Sequence, residues 1–512
     1  QTQISGGVQS KRWLFRVNGS FFRWQPAPID SLRQFEKIPL EDGDEINQRV
    51  IPWTPKTQWG GGAMIAYRWG DHTRLEYGYQ SFRETLWRYG EKRRAVFMPY
   101  ALDRRFFTQR VDQRFRIESD IGSWGQINSI TSWNRFNRIR DQHRFDFEAD
   151  SYEEETLPLD TNRFSSVLHR TQWTFRKGKR FSGQWGGEAL LDRARGDRIV
   201  DSLRAPSNEA EMVHLASWLS LRYQLTEALT VQGQIRYNYN SRYRSPIIPG
   251  LNIKWAPREN WVLRTSYARG FRAPSLKELF IEFIDVNHFI IGNPDLRAET
   301  SHNFNISGEY SFTVLAGVRS GIELTYFYNQ LRHQISLAQF QPLQFTYFNI
   351  DQFKSQGFNA VFHLEKPEVF RIQIGGSFRM QTSKVLNAET VRTIPVWELR
   401  NSIQWPIPFY KALQLDVLHR YFGRQAQFFV DENEMMSEGF IGAYHLLNIS
   451  FRHHFANNRF ALGFGIKNAL NQTQVNAVGR GGGAHAGGGN QRLVQRDRSF
   501  FVRLQYRLSA DD

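Results

Sequence analysis

The chain of 512 residues contains no cysteine. This absence excludes disulfide frameworks, thiolate metal sites and cysteine nucleophiles together. It also fits a protein that works in an oxidising compartment, where a stray thiol is a liability.

Long apolar runs are missing as well. No stretch of about 18 consecutive apolar residues occurs, which excludes membrane-spanning helices, and the mean hydropathy is −0.54. Aromatic residues nevertheless make up 15 % of the chain. Many aromatics without hydrophobic blocks are typical of a transmembrane β-barrel, in which lipid-facing and interior-facing residues alternate between aromatic girdles. A soluble all-β protein with exposed aromatics, such as a sugar-binding array, is the alternative.

Basic blocks and catalytic motifs are also absent. The formal net charge is +16, but arginine is spread along the chain without a nucleic-acid-binding module, so no nucleic-acid partner is expected. In a barrel, arginines would line the interior and the rims or attract anionic ligands. No nucleophile elbow, zinc-protease motif or phosphate-binding loop occurs, and His445 and Ser450 lie on opposite strand faces. We therefore expect no enzyme and no intrinsic cofactor.

Strict period-two alternation identifies several strands. The segment at 229–240 places Leu229, Val231, Ile235, Tyr237 and Tyr239 on one face, and mostly polar residues on the other. The segments at 459–468 and 500–508 repeat this pattern. The polar face is too polar for a protein core, which favours a large antiparallel barrel.

Short and long connections alternate between these strands. The short ones are turns at 177–179, 257–260, 365–369 and 456–458. The long ones are polar and predicted to be loops, at 139–162, 194–210, 272–298, 331–346, 384–396, 423–442 and 469–497. Short periplasmic turns and long extracellular loops are the pattern of outer-membrane barrels. The prediction is an all-β transmembrane barrel of about 20–22 strands.

Several segments in order resemble the TonB-dependent outer-membrane receptors. "WVLRTSYARGFRAPSLKELF" (261–280) and "GNPDLRAETS" (292–301) resemble the paired FRAP and NPDL boxes of that family. "YFNIDQFKSQGFNAVF" (347–362), "ALGFGIKNALNQ" (461–472) and "RSFFVRLQYRL" (498–508) resemble its later strand motifs. The box residues are Phe271, Arg272, Ala273, Pro274, Asn293, Pro294, Asp295 and Leu296.

The resemblance implies energised uptake of an iron complex, either a ferric siderophore or haem, across the outer membrane. Cobalamin or another bulky nutrient is an alternative cargo, and a plugless porin-like or structural barrel is an alternative role. The resemblance further implies outer-membrane lipid, the TonB–ExbB–ExbD energising complex and surface lipoproteins as partners. No segment that resembles the family's plug or its TonB box precedes residue 11, so residues 1–512 are expected to be the barrel domain alone. The chain is interpreted as a fragment, and a plug in another chain or a plugless relative are the alternatives.

Histidines in the long connections are the candidate ligands for a cargo. His288 lies between the two boxes, where haem receptors of the resembled family carry a candidate axial ligand, and imidazole is a natural ligand of haem iron. His485 lies in a glycine-rich segment, and His333 begins another predicted loop. Arg272 is a further candidate, with a predicted structural ion pair to Asp295 across the loop base. Solvated or structural roles are the alternatives for all four ligand candidates.

Overall fold

The computed structural model describes residues 2–24, 55–90, 99–197, 199, 208–285, 288–341, 344–384, 392–430, 436–455, 460–478 and 491–506. Most of these residues lie in β-strands, beside one short α-helix, α1 (Leu276–Phe280), and one turn of 3-10 helix at Gly122–Trp124. Within this part of the chain no helix combines the length and apolar character needed to span a membrane.

The strands follow one another closely along the chain. The first twelve are β1 (Thr2–Gln9), β2 (Trp13–Trp24), β3 (Lys56–Trp69), β4 (Thr73–Arg88), β5 (Tyr100–Asp120), β6 (Gln126–Asp146), β7 (Ser151–Lys177), β8 (Phe181–Gly196), β9 (Glu209–Gln224), β10 (Leu229–Asn240), β11 (Ile248–Arg258) and β12 (Trp261–Arg272). The next eight are β13 (Glu282–Asp285), β14 (His288–Ile291), β15 (Glu299–Leu315), β16 (Val318–Gln341), β17 (Gln344–Lys366), β18 (Phe370–Lys384), β19 (Arg392–Ile407) and β20 (Tyr410–Phe422). The last seven are β21 (Gln425–Val430), β22 (Met436–Ile441), β23 (Tyr444–Phe455), β24 (Phe460–Lys467), β25 (Gln474–Val478), β26 (Gln491–Leu493) and β27 (Ser499–Tyr506).

Successive strands pair antiparallel into one large sheet. This sheet has 23 strands among the described residues, and β21, β22, β25 and β26 form a separate four-stranded sheet. In the large sheet β12 pairs with β15, and the short β14 pairs parallel with β17. Setting aside the short β13 and β14 leaves 21 strands, which agrees with the predicted 20–22.

The chain divides into two compact units. Unit 1 comprises Gln1–Leu219, Arg236–Ser245 and Ser275–Phe283, and unit 2 comprises Ser220–Ile235, Pro246–Pro274 and Ile284–Asp512. Unit 1 contains β1–β8 and α1, and unit 2 contains β15–β27.

Each unit has an apolar and a polar sheet face. In β27, Phe500, Val502 and Leu504 are 75 %, 76 % and 71 % exposed, so large hydrophobic side chains at alternate positions are turned away from any core. We call the side that carries such residues the apolar face and the opposite side the polar face. The predicted alternation at 229–240 is confirmed, since β10 has those bounds and Ile235, Tyr237 and Tyr239 are exposed.

The predicted turns are confirmed at 177–179, 257–260 and 365–369, where the next strand follows within a few residues. The turn predicted at 456–458 lies outside the described residues. The loops predicted at 139–162 and 331–346 are wrong, because β6 and β7 cover most of the first and β16 and β17 most of the second. The main-chain hydrogen bonds between paired strands continue through these hairpin ends, where apolar residues such as Phe145 and Ile335 are interspersed with many polar ones.

Candidate functional site

The loop that follows β12 is closed at its base by an ion pair. The Nε and Nη2 atoms of Arg272 donate to the two carboxylate oxygens of Glu299, each at 2.7 Å. The main-chain N–H of Ile335 donates to the same carboxylate at 2.7 Å. The predicted partner Asp295 is therefore wrong: the β12–β15 register places Glu299 directly opposite Arg272.

Asn349 of β17 links the residue after the NPDL box to β16 through hydrogen bonds. Its Oδ1 accepts from the Arg297 N–H at 2.8 Å, and its Nδ2 donates to the Arg297 carbonyl at 3.0 Å. The same Nδ2 donates to the His333 carbonyl at 2.7 Å. One amide side chain thus joins the loop to β16, which gives the Phe-Asn-Ile segment of β17 a structural role.

The NPDL box folds as a compact turn. Asn293 accepts from the Asp295 N–H at 2.9 Å through Oδ1, and its Nδ2 donates to the Tyr347 carbonyl at 2.9 Å. Leu296 is buried. Asparagine is suited to this position because its side chain can bond the main chain two residues on.

The segment after the FRAP box forms α1, which belongs to unit 1. Ser275 is its N-cap, with its hydroxyl accepting from the Glu278 N–H at 3.3 Å, while the Glu278 carboxylate accepts from the Ser275 N–H at 2.7 Å. This reciprocal capping box satisfies two otherwise unpaired donors. Phe280 is buried, and the Arg242 guanidinium lies 4.7 Å from its ring.

Among the histidine candidates, only His333 has a described side chain. It has a left-handed φ of 56° and interrupts the β16–β17 ladder, and its imidazole is half-buried. The backbone of His288 starts β14, but its side chain lies outside the described residues, as does the whole of His485. Within the described ranges no group of three or more His, Asp or Glu side chains could hold a metal ion.

The polar face of unit 1 is rich in arginine. These arginines share the alternate positions of β4–β7 and β10, and they are Arg74, Arg104, Arg110, Arg114, Arg116, Arg138, Arg140, Arg144, Arg170 and Arg236. Several carboxylates are shared between two of them. Glu76 lies 2.9 Å from Arg74 and 3.2 Å from Arg114, so the face retains a positive excess.

A second shared carboxylate lies further along this face. Glu188 pairs with Arg170 and, at 2.9 Å, with Arg236. Both guanidinium groups lie over the Trp218 ring, at 6.0 and 5.3 Å from its centre. This contact holds the two cations above an aromatic plane and orders the strands around it.

A cavity of about 860 Å³ opens on the polar face of unit 1. Its lining includes Arg110, Arg138 and Phe136. Arg110 pairs with Asp112 at 2.8 Å. Arg138 lies 4.7 Å from the Phe106 ring and forms no ion pair within the part of the chain that is described. Guanidinium groups beside aromatic rings suit a planar anionic ligand.

This arginine-rich cavity was not predicted from the sequence. The available signal was phase: in "QRVDQRFRIE" (109–118) arginines recur at even positions, which β5 turns to the polar face. Pairing between strands that are distant in sequence then collects them with Arg138 of β6.

Residues 53–469 match the family described as TonB dependent receptor-like, beta-barrel. The chain belongs to this family. The apolar face is thus the lipid-facing side of an outer-membrane barrel crossed many times by the chain, and the polar face lines its interior.

Individual relatives are similar in sequence and in fold. The chain is 22 % identical to the ferrienterobactin receptor of Escherichia coli (strain K12) over 296 residues, 54 % of this chain and 38 % of that protein. It is 26 % identical to the heme/hemopexin utilization protein C of Haemophilus influenzae over 226 residues, 37 % of this chain and 30 % of that one. The matches thus span less than two fifths of the length of these curated relatives.

Among solved structures, the siderophore receptor PirA from Acinetobacter baumannii has a TM-score of 0.74 at 13 % identity, covering 98 % of this chain and 76 % of that one. A mutant of the ferric enterobactin receptor PfeA from Pseudomonas aeruginosa has a TM-score of 0.71 at 13 % identity, with coverage of 98 % and 77 %. These similarities show the barrel fold.

Proposed function

We propose that this chain forms the barrel of an outer-membrane receptor for TonB-dependent uptake of an iron complex, either a ferric siderophore or haem. The observation that carries the proposal is the arginine-rich polar face, with its cavity beside Arg110 and Arg138. Ferric catecholates and haem propionates are anions, and a basic interior attracts them and raises their local concentration. The names of the relatives fit this cargo class.

The family implies that TonB energises transport. We extend this to the TonB–ExbB–ExbD complex, which acts through a plug inside the barrel that residues 1–512 form. We also extend it to surface lipoproteins that deliver cargo. Haem or the ferric chelate is cargo in this proposal and no intrinsic cofactor is needed.

Uptake of radioactive iron in a host lacking its own receptors tests the function. Cells that express the full receptor should accumulate iron from the correct chelate only when TonB is present. Uptake that persists without TonB, or free ion conduction by the intact purified receptor in a planar bilayer, would favour a porin-like or structural barrel.

Charge-removing variants test the role of the cavity. Arg110→Gln with Arg138→Gln should weaken chelate binding by about tenfold or more, because charge-assisted hydrogen bonds contribute about 1.5–3 kcal/mol each. Arg264→Gln is the matched control, since it lies on the polar face of unit 2 and pairs with Glu309 at 3.3 Å. Equal losses in both variants would remove the cavity from the proposal.

Titration with haem separates the two cargo classes. If haem is the cargo, the Soret band of the added haem should shift when the receptor binds it. Alanine at His288, His333 or His485 should abolish that shift. An unchanged spectrum in the parent protein would leave a ferric siderophore as the cargo.

A further inference from the structure

A group of arginines lies on the lipid-facing side of unit 1. On β6–β8 the odd-numbered residues belong to the apolar face, as the exposed Trp133, Val167 and Trp185 show. Four exposed arginines share this face, and we call them the outer arginine patch: Arg135 of β6, Arg163 of β7, and Arg193 and Arg195 of β8.

The strand register brings these cations together. Arg163 lies directly opposite Arg195. Two residues further along β7, Ser165 lies between Arg135 of β6 and Arg193 of β8. Like charges directly opposite each other on a sheet repel and destabilise the pairing. The arrangement is therefore favourable when an anion lies between the guanidinium groups.

Internal carboxylates neutralise only one edge of the patch. Arg193 and Arg195 reach Glu211 at 3.5 Å and Glu209 at 3.0 Å, and their side chains are 62 % and 70 % exposed. Exposed pairs of this kind are weak. Within the described ranges, Arg135 and Arg163 form no ion pair, so the β6–β7 side retains its charge.

The height of the patch in the membrane follows from β7. At its short-turn end β7 carries Trp173, whose Nε1 donates to the Trp124 carbonyl at 2.7 Å, and Trp185 of β8 is exposed beside it. Ten residues separate Trp173 from Arg163, and a tilted strand of that length rises about 25 Å, the height of the apolar band. The patch thus lies at the outer boundary of the membrane.

At strand ends of unit 2, the apolar face carries hydrogen-bonded pairs as well as single arginines such as the exposed Arg332 of β16. The Tyr267 hydroxyl lies 2.9 Å from His302 Nδ1, and His419 Nε2 lies 3.0 Å from His445 Nδ1.

We propose that the outer arginine patch binds the phosphorylated head group of an outer-leaflet glycolipid. Guanidinium groups bind phosphate oxygens in a bidentate manner and keep their charge at a membrane interface. Trp133, Val167 and Leu191 lie directly below the patch, where they contact the acyl chains. The bound phosphate offsets the repulsion between Arg163 and Arg195. This site is separate from the cargo cavity on the opposite face.

Lipid retained by the full receptor purified in mild detergent provides the test. Native mass spectrometry should show about fivefold less phosphorylated glycolipid on the Arg135→Gln/Arg163→Gln variant, because two charge-assisted contacts are lost. The Arg176→Gln control lies on the other face of β7 at its opposite end and should retain the lipid of the parent. Equal retention by the double variant, or an equal loss in the control, would overturn the proposal.

Rebinding to stripped receptor identifies the recognised group. The bisphosphorylated glycolipid should bind and raise the Tm of the parent but not of the single variant Arg163→Gln, which keeps the test available if the double variant fails to assemble. Equal binding of the dephosphorylated glycolipid would refute head-group recognition. Displacement by millimolar inorganic phosphate would indicate a small-anion site and refute the lipid assignment.

Discussion

Replacing Asn349 with alanine tests how the loop after β12 is held. The change removes three hydrogen bonds of 2.7–3.0 Å to the main chain of Arg297 and His333. Each such bond contributes about 1 kcal/mol net, and the side chain is half-buried, so we expect local opening to become about 2–3 kcal/mol easier. Since 1.4 kcal/mol is a factor of ten, the Arg297 amide should exchange its hydrogen about 30- to 140-fold faster.

Hydrogen exchange followed by mass spectrometry measures this effect at the loop itself. Amides in the middle of β12 should keep their parental rates, because the ladder of the barrel is untouched. The control is Asn305→Ala, whose side chain makes one long bond, of 3.4 Å, to Ser266. A change below about threefold at Arg297, or an equal change in the control, would refute the assigned role of Asn349.

Three further substitutions probe the same architecture. Gly357→Ala should lower the temperature at which the folded barrel unfolds on heated gels, because a Cβ there meets the main chain of the adjacent strand, whereas Gly376→Ala has ordinary contacts and should not. Glu299→Gln should speed proteolysis of 272–298 by about tenfold, since it removes a bidentate ion pair, while Asp295→Asn should leave the cleavage rate unchanged. Ser275→Ala removes a helix cap worth about 1 kcal/mol and should raise the exchange rate of the α1 amides about fivefold.

Local pattern predicted the transmembrane part of the fold well. β10 has its predicted bounds because Leu229 to Asn240 alternate between lipid and interior without interruption. The hairpin ends at 139–162 and 331–346 were predicted to be loops because they contain many polar residues. A strand there is maintained by main-chain pairing with its neighbour, which leaves no mark in the hydropathy of a single segment.

The candidate site was less accessible to sequence reasoning. The boxes at 271–274 and 293–296 were recognised, but the ion pair of Arg272 was assigned to the wrong acid. Its partner is Glu299, which the register between β12 and β15 places opposite it. Register depends on the whole ladder and cannot be deduced from two segments.

By itself, the sequence indicated the class of the protein: alternation, many aromatics and no long apolar run favoured a membrane-spanning barrel, and the ordered motifs from 261 to 508 pointed to the family. It also supplied arginines at alternate positions, and so assigned each to one face. Only the tertiary structure decided which arginines meet, because residues on one face become neighbours through strand pairing. That pairing placed Arg110 and Arg138 around an interior cavity and Arg163 and Arg195 opposite each other on the lipid-facing side.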